Sequence, residues 1–129
     1  LREENAMAKS NPVVWFEIPV RDIERARAFY EFVLGVRLER HDMGDMLMAW
    51  FPMEADAAGA AGTLVHVAGH TPGRDGVRVY FESGDMDQAL QRCAQRGGKV
   101  IMPRTAIGEY GFVAIIEDTE GNRVGLHSM

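Results

Sequence analysis

Alternate positions of the segment Val13 to Val20 (VVWFEIPV) differ in kind. Val14, Phe16, Ile18 and Val20 make one wholly apolar face, while Trp15, Glu17 and Pro19 occupy the other. A period of two predicts a strand with unlike neighbours on its two sides. The apolar side suits packing on helices, and the opposite side faces something more polar. Asp22 then has the chemistry of a helix N-cap, with Glu24 favourable to the dipole in the first turn. Ile23, Ala26, Tyr30, Val33 and Leu34 recur at helical spacing, and Gly35 is placed to stop the helix. Val36 to His41 and Met46 to Phe51 read as a hairpin around Met43-Gly44-Asp45. A Gly/Ala-rich loop, Pro52 to Ala61, leads into a short strand from Thr63 to Val67.

The pattern then restarts after a second loop, Ala68 to Gly76. In Val77 to Glu82, Val77, Val79 and Phe81 form the apolar face, and Arg78, Tyr80 and Glu82 the other. Asp85 caps a second helix with an inner stripe of Met86, Ala89, Leu90 and Cys93, closed by Gly97-Gly98. Val100 to Met102, Phe112 to Glu117 and Arg123 to His127 supply three further strands. An offset of 63 pairs Trp15 with Arg78, Glu17 with Tyr80 and Asp22 with Asp85; it slips to 61 in the last strands, pairing Leu64 with Gly125 and His66 with His127. The chain therefore predicts an α+β fold of two pseudo-repeated βαβββ modules, about residues 13–67 and 76–128, with mostly antiparallel pairing inside each.

Composition narrows the class. A chain of 129 residues with 47% hydrophobic and 26% charged residues suits one globular domain, expected over 11–129. Residues 1–10 are polar and lack an apolar signal region; they are expected to be a disordered leader, with Met7 as a candidate start. No run approaches the length of a membrane span. A single cysteine excludes an internal disulfide and a multi-cysteine zinc site, and a cytoplasmic location follows by default. The net charge of −5 provides no electrostatic basis for nucleic-acid binding, and Arg21, Arg25 and Arg27 are interleaved with acids.

Two stretches carry a family likeness. Glu17 to Asp22 (EIPVRD) running into Ala28 to Gly35 (AFYEFVLG) resembles the opening of the vicinal-oxygen-chelate superfamily, which includes glyoxalases, bleomycin-resistance proteins and dioxygenases. Asp118 to Leu126 (DTEGNRVGL) is similar to its closing hairpin, with Thr119 where proline is usual. Gly98 to Pro103 (GKVIMP), followed by Ile107-Gly108 and Gly111, resembles a bacterial glyoxalase-like subgroup. The resemblance implies that the modules curl into a half-open eight-stranded barrel around a small-molecule pocket, and homodimers are common in the family. It also implies a divalent metal held at four positions, which here fall at Trp15, about Leu64, Arg78 and Gly125. None of these supplies the His, carboxylate or amide donor that such a cation takes, so the fold is expected without the usual metal site and without a cofactor.

Strand parity turns Trp15, Glu17, Leu64, His66, Arg78, Tyr80, Gly125 and His127 towards the pocket. Glu17 is the candidate catalytic residue, because a mid-strand carboxylate opposite an apolar face is costly unless paired. Arg78 is its natural partner, and the pair is either purely structural or part of the site. Glu17, His66 and His127 together form a candidate displaced metal site. Trp50 shares a face with Met46 and Met48 and suits either ligand contact or core packing, while Tyr80 and Tyr110 are candidate ligand contacts at the wall and mouth. Two function classes follow. The first is a metal-independent small-molecule binder contacting its ligand through Trp15, Glu17, Trp50, His66, Arg78, Tyr80, Tyr110 and His127. The second is a glyoxalase- or dioxygenase-like lyase or isomerase using a displaced metal or acid–base chemistry by Glu17 and a histidine. An interaction module whose cleft is filled by its own side chains is a third option.

Overall fold

The computed structural model describes residues 11–129; the expected leader lies outside the described residues. The first module runs β1 (Trp15–Pro19), α1 (Ile23–Leu34), β2 (Glu39–Arg40), β3 (Leu47–Trp50) and β4 (Ala61–His66). The second runs β5 (Tyr80–Glu82), α2 (Met86–Gln95), β6 (Lys99–Ala106), β7 (Phe112–Glu117) and β8 (Arg123–Ser128), with a 3-10 turn at Gly108–Tyr110. Each module is a four-stranded mixed sheet, ordered β1-β4-β3-β2 and β5-β8-β7-β6. The hairpin-linked strands pair antiparallel, whereas β1–β4 and β5–β8 are parallel. An intervening helix and two hairpins return the chain beside its first strand in the same direction, which makes that pair parallel.

The helices form where capping and periodicity place them. Asp22 accepts from the Arg25 amide at 3.0 Å, and Gly35 ends α1 in the left-handed conformation that a side chain would strain (φ 69°). Asp85 caps α2 in the same manner, at 3.1 Å from the Gln88 amide. Ile18, Val20, Ala26, Phe29, Tyr30, Val33, Leu64, Ala89, Cys93, Ile116 and Leu126 pack into one core between the helices and the sheets. Gly98 is needed at the crossing of α2 with β7, because a Cβ there would lie 2.5 Å from Cys93 Sγ and 2.7 Å from Phe29 Cε1. Val14, placed by parity on the core face, is instead exposed, because it precedes the first paired residue of β1.

A buried polar clasp joins the modules. The β7–β8 turn of module two reaches the N-terminus of α1, where Glu120 accepts from the backbone amides of Arg21 (2.8 Å) and Asp22 (2.9 Å). Arg25 donates to both carboxylate oxygens at 2.7 and 3.0 Å, and the Thr119 hydroxyl adds a contact at 2.8 Å. Behind it, fully buried Tyr30 donates to Asp118 at 2.6 Å, and Asn122 Nδ2 donates to the Pro19 carbonyl at 2.7 Å. Carboxylate acceptors at a helix N-terminus meet unsatisfied amides and the positive end of the dipole together. The closing-hairpin motif read from the sequence is therefore the fastener that sets the position of one sheet against the other.

Candidate functional site

The edge strands β1 and β5 belong to different sheets and approach each other through Phe16 and Phe81, whose rings are 5.8 Å apart. Between them opens a cleft of ≈ 1010 Å³. Its apolar walls include Trp15, Phe16, Val36, Phe51, Val77 and Phe81, and its polar groups come from Glu17, Arg78, Tyr80, Glu82 and His127. Small-molecule sites have this composition: apolar area with a few convergent polar groups. Of the residues assigned to the site from the sequence, Trp15, Glu17, Arg78, Tyr80 and His127 line the cleft. The open face of Gly125 gives Tyr80 its place, since a Cβ at Gly125 would lie 2.2 Å from the Tyr80 ring.

Other assignments are corrected. Glu17 stands beside Thr63 in the sheet, and Tyr80 beside Gly125, so the repeat offset is 62 at the last strands. Leu64 therefore corresponds to Leu126, and both are fully buried in the core. His66 moves with Leu64 to a different position: its Nδ1 lies 2.9 Å from the Val20 carbonyl and the residue does not line the cleft. A shift of one residue along a strand moves every side chain to the other face. Trp50 does not line the cleft but touches Trp15, and Tyr110 contributes its backbone carbonyl beside the cleft while its ring is exposed. Glu17 and Arg78 are both exposed, neither is among the ion pairs of the described residues, and Arg78 precedes the first paired residue of β5.

His127 is the best-defined polar group of the cleft. Its Nδ1 lies 3.0 Å from Glu82 Oε1 and its Nε2 lies 2.8 Å from the Tyr110 carbonyl oxygen. Both partners accept only, so the imidazolium, with two N–H groups, satisfies the pair of contacts where a neutral ring satisfies one. The Glu82 carboxylate, and after it the Tyr110 carbonyl, raise the His127 pKa above its ordinary value. Glu82 was not singled out from the sequence. It shares parity with Arg78 and Tyr80, and alignment of its strand with His127 is the signal that would have found it.

The metal implied by the family likeness does not fit these residues. On β4 the cleft-side neighbour of Glu17 is Thr63, whose hydroxyl lies 3.1 Å from the Ala49 carbonyl and 2.6 Å from that of Leu64. With Trp15, Arg78 and Gly125 it provides no donor set for a hard or borderline cation. Nor does the chain bring Glu17, His66 and His127 together as a displaced site; among the described residues no three His, Cys, Asp or Glu side chains converge.

Paired βαβββ modules with a cleft between their edge strands define the class of fold. The chain belongs to the Glyoxalase/Bleomycin resistance protein/Dioxygenase superfamily, whose family model matches residues 13–126. A glyoxalase/bleomycin resistance protein from Streptomyces sp. CB03234 is similar in structure, with 24% identity, a TM-score of 0.68, and 89% of this chain and 98% of that chain covered. A glyoxylase/bleomycin resistance protein/dioxygenase domain from Frankia sp. EAN1pec has a TM-score of 0.70 at 17% identity, covering 92% and 98%. Glyoxalase I from Zea mays is similar at 20% identity and a TM-score of 0.69, over 91% of this chain but 46% of the maize chain. This chain thus spans just under half the length of that enzyme. No functionally curated protein matches the sequence.

Proposed function

We propose that this protein binds a small apolar or amphiphilic molecule, without a metal, in the cleft between β1 and β5. The observation that carries the reading is the cleft itself: ≈ 1010 Å³, walled by aromatic side chains of both modules and furnished with Glu17, Arg78, Tyr80 and His127 as polar anchors. The bleomycin-resistance members of the superfamily give this reading its precedent, and the unfitting donor set separates it from metal-dependent relatives. Trp15 lies on the wall, so intrinsic fluorescence reports occupancy. Titration with a panel of small aromatic amphiphiles is expected to give saturable changes that shrink in Trp15→Ala. Saturation unaltered in that variant would place the ligand elsewhere, and no saturable change from any compound would remove the reading. The exposed Val77 and Tyr80 at the rim favour association of two copies, which light scattering would register as a doubled mass. The lone cysteine, a buried free thiol, fits a reducing compartment such as the cytoplasm, and among the described residues no helix is long and apolar enough to cross a membrane.

A second reading rests on the Glu82–His127 pair. With Nδ1 held by Glu82, an imidazolium whose Nε2–H exchanges the Tyr110 carbonyl for a substrate atom is suited to general acid catalysis, with Glu17 across the cleft as a base. Turnover in a glyoxalase assay, lost in both His127→Gln and Glu17→Gln, would favour this lyase- or isomerase-like role over simple binding.

A further inference from the structure

Trp50 is left unexplained by the cleft. Its indole nitrogen is buried and meets no hydrogen-bond partner. A buried donor left unpaired is costly, and native proteins rarely keep one without a use. Its neighbours suggest that use. The His41 imidazole lies flat against the indole, with ring centres 3.7 Å apart and planes 19° apart. Glu39 holds that imidazole by its Nε2, at 2.7 Å. Trp15 stands at 83° to Trp50, 5.8 Å away, so the two indoles form a corner.

Within the paired strands, the charged residues on this face are carboxylates. The pairings Glu17–Thr63, Thr63–Trp50 and Trp50–Glu39 run straight across the sheet, placing a carboxylate at each end of the row that holds Trp50. Strands β1, β3 and β4 contain no lysine or arginine, and Arg40 of β2 pairs with Ala49, a residue of the opposite, core-facing side. Indole faces attract cations through their quadrupole, and flanking carboxylates add a direct attraction. The ring now resting on Trp50 is itself a flat, N–H-bearing heterocycle held by a carboxylate.

We propose that the Trp15–Trp50 corner is a subsite for a planar organic cation, such as an amidinium or a protonated heteroaromatic ring. His41 occupies it in the free protein and is displaced by the ligand. The cation lies against Trp50 with Glu17 and Glu39 as counter-charges, and the Trp50 N–H serves an acceptor elsewhere on the same molecule. The subsite shares Trp15 and Glu17 with the cleft, whereas Trp50, His41 and Glu39 lie outside the cleft lining, so substitutions at Trp50 and His41 test it separately from the cleft reading.

The test titrates the full chain with benzamidinium chloride, its neutral counterpart benzamide, and benzoate, following tryptophan fluorescence and the His41 ring protons by NMR. Benzamidinium is expected to saturate and to bind about tenfold or more tightly than the other two. The His41 protons, shielded by the indole beneath them, should move downfield as the ring is displaced. His41→Ala, which removes the competitor, should tighten binding severalfold, and Trp50→Phe should weaken it about tenfold. Glu17→Gln should weaken benzamidinium while leaving benzamide unchanged. Equal binding of all three probes, an unmoved His41 signal at saturation, or no gain in His41→Ala would overturn the proposal. Benzamidinium binding that responds to Tyr80→Ala but not to Trp50→Phe would place the cation in the cleft, overturning the subsite while sparing the cleft.

Discussion

Glu120 is the side chain through which module two grips module one, and replacing it with glutamine tests how much that grip contributes. Its side chain is fully buried, while the Arg25 that pairs with it is half exposed. Burial by itself would raise the pKa. The Arg25 guanidinium, the Asp22 amide, the Thr119 hydroxyl and the Arg21 amide outweigh it and hold the carboxyl at about 2. An unfolded glutamate titrates near 4.3, and each pKa unit corresponds to about 1.4 kcal/mol, so the charged form gains about 3 kcal/mol on folding. Solvent screening at half-exposed Arg25 reduces this, and about 2 kcal/mol is the expected loss in Glu120→Gln at pH 7. The glutamine also turns one N–H pair towards existing donors, either Arg25 Nε and Thr119 or the two backbone amides. Because the folded pKa is depressed, the contribution is complete above the unfolded value and is lost as pH falls through the folded one. Roughly half the gap between wild type and variant should be gone by pH 3, and little should remain near pH 2. Urea unfolding of both proteins from pH 7 to pH 3 measures it. A difference below about 0.5 kcal/mol at pH 7, or one that stays constant down to pH 3, would refute the idea that a buried ionised clasp orients the cleft walls.

Further expectations concern single contacts. Gly98→Ala should cost about 1–3 kcal/mol in chemical denaturation, because the new methyl group meets Cys93, Phe29 and the Glu117 carbonyl at once; a neutral result would mean that α2 can lift from β7 freely. The His127 imidazole should titrate by NMR above the ordinary histidine value and fall back towards it in Glu82→Gln, since Glu82 is the main cause of the rise; an unchanged titration would show that the contact is not made in solution. Arg78→Met should change stability by less than about 0.5 kcal/mol, as expected of an exposed side chain with no Glu17 partner; a loss of several kcal/mol would restore the buried pair.

Much of this protein is legible along the chain. Period-two and period-3.6 patterns, Asp22 and Asp85 as caps, Gly35 as a left-handed stop and the repeat of the whole unit are local features, and each predicts an element without knowledge of its neighbours. Alternation alone does not select the cleft residues, because the cleft opens at the edges of β1 and β5 and takes side chains of both parities, Phe16 and Phe81 as well as Trp15, Glu17 and Tyr80. What lies beside those residues is decided by strand register, and that depends on loop length and on packing between distant segments. One residue of register separates the expected Leu64–Gly125 equivalence from the observed Leu64–Leu126, and with it His66 leaves the cleft. Glu17 and Arg78, a pair that charge complementarity alone favours, both stay exposed, with Arg78 lying before the paired part of β5. The Glu120 clasp, the Glu82–His127 pair and the stacking of His41 on Trp50 join residues whose meeting no periodicity encodes. Sequence determined the elements and, inside the helices and paired strands but not at Val14 or Val77 before them, the buried faces, because those depend on neighbours within a few residues. Only the tertiary structure decided which polar groups meet, because that depends on the relative placement of whole strands.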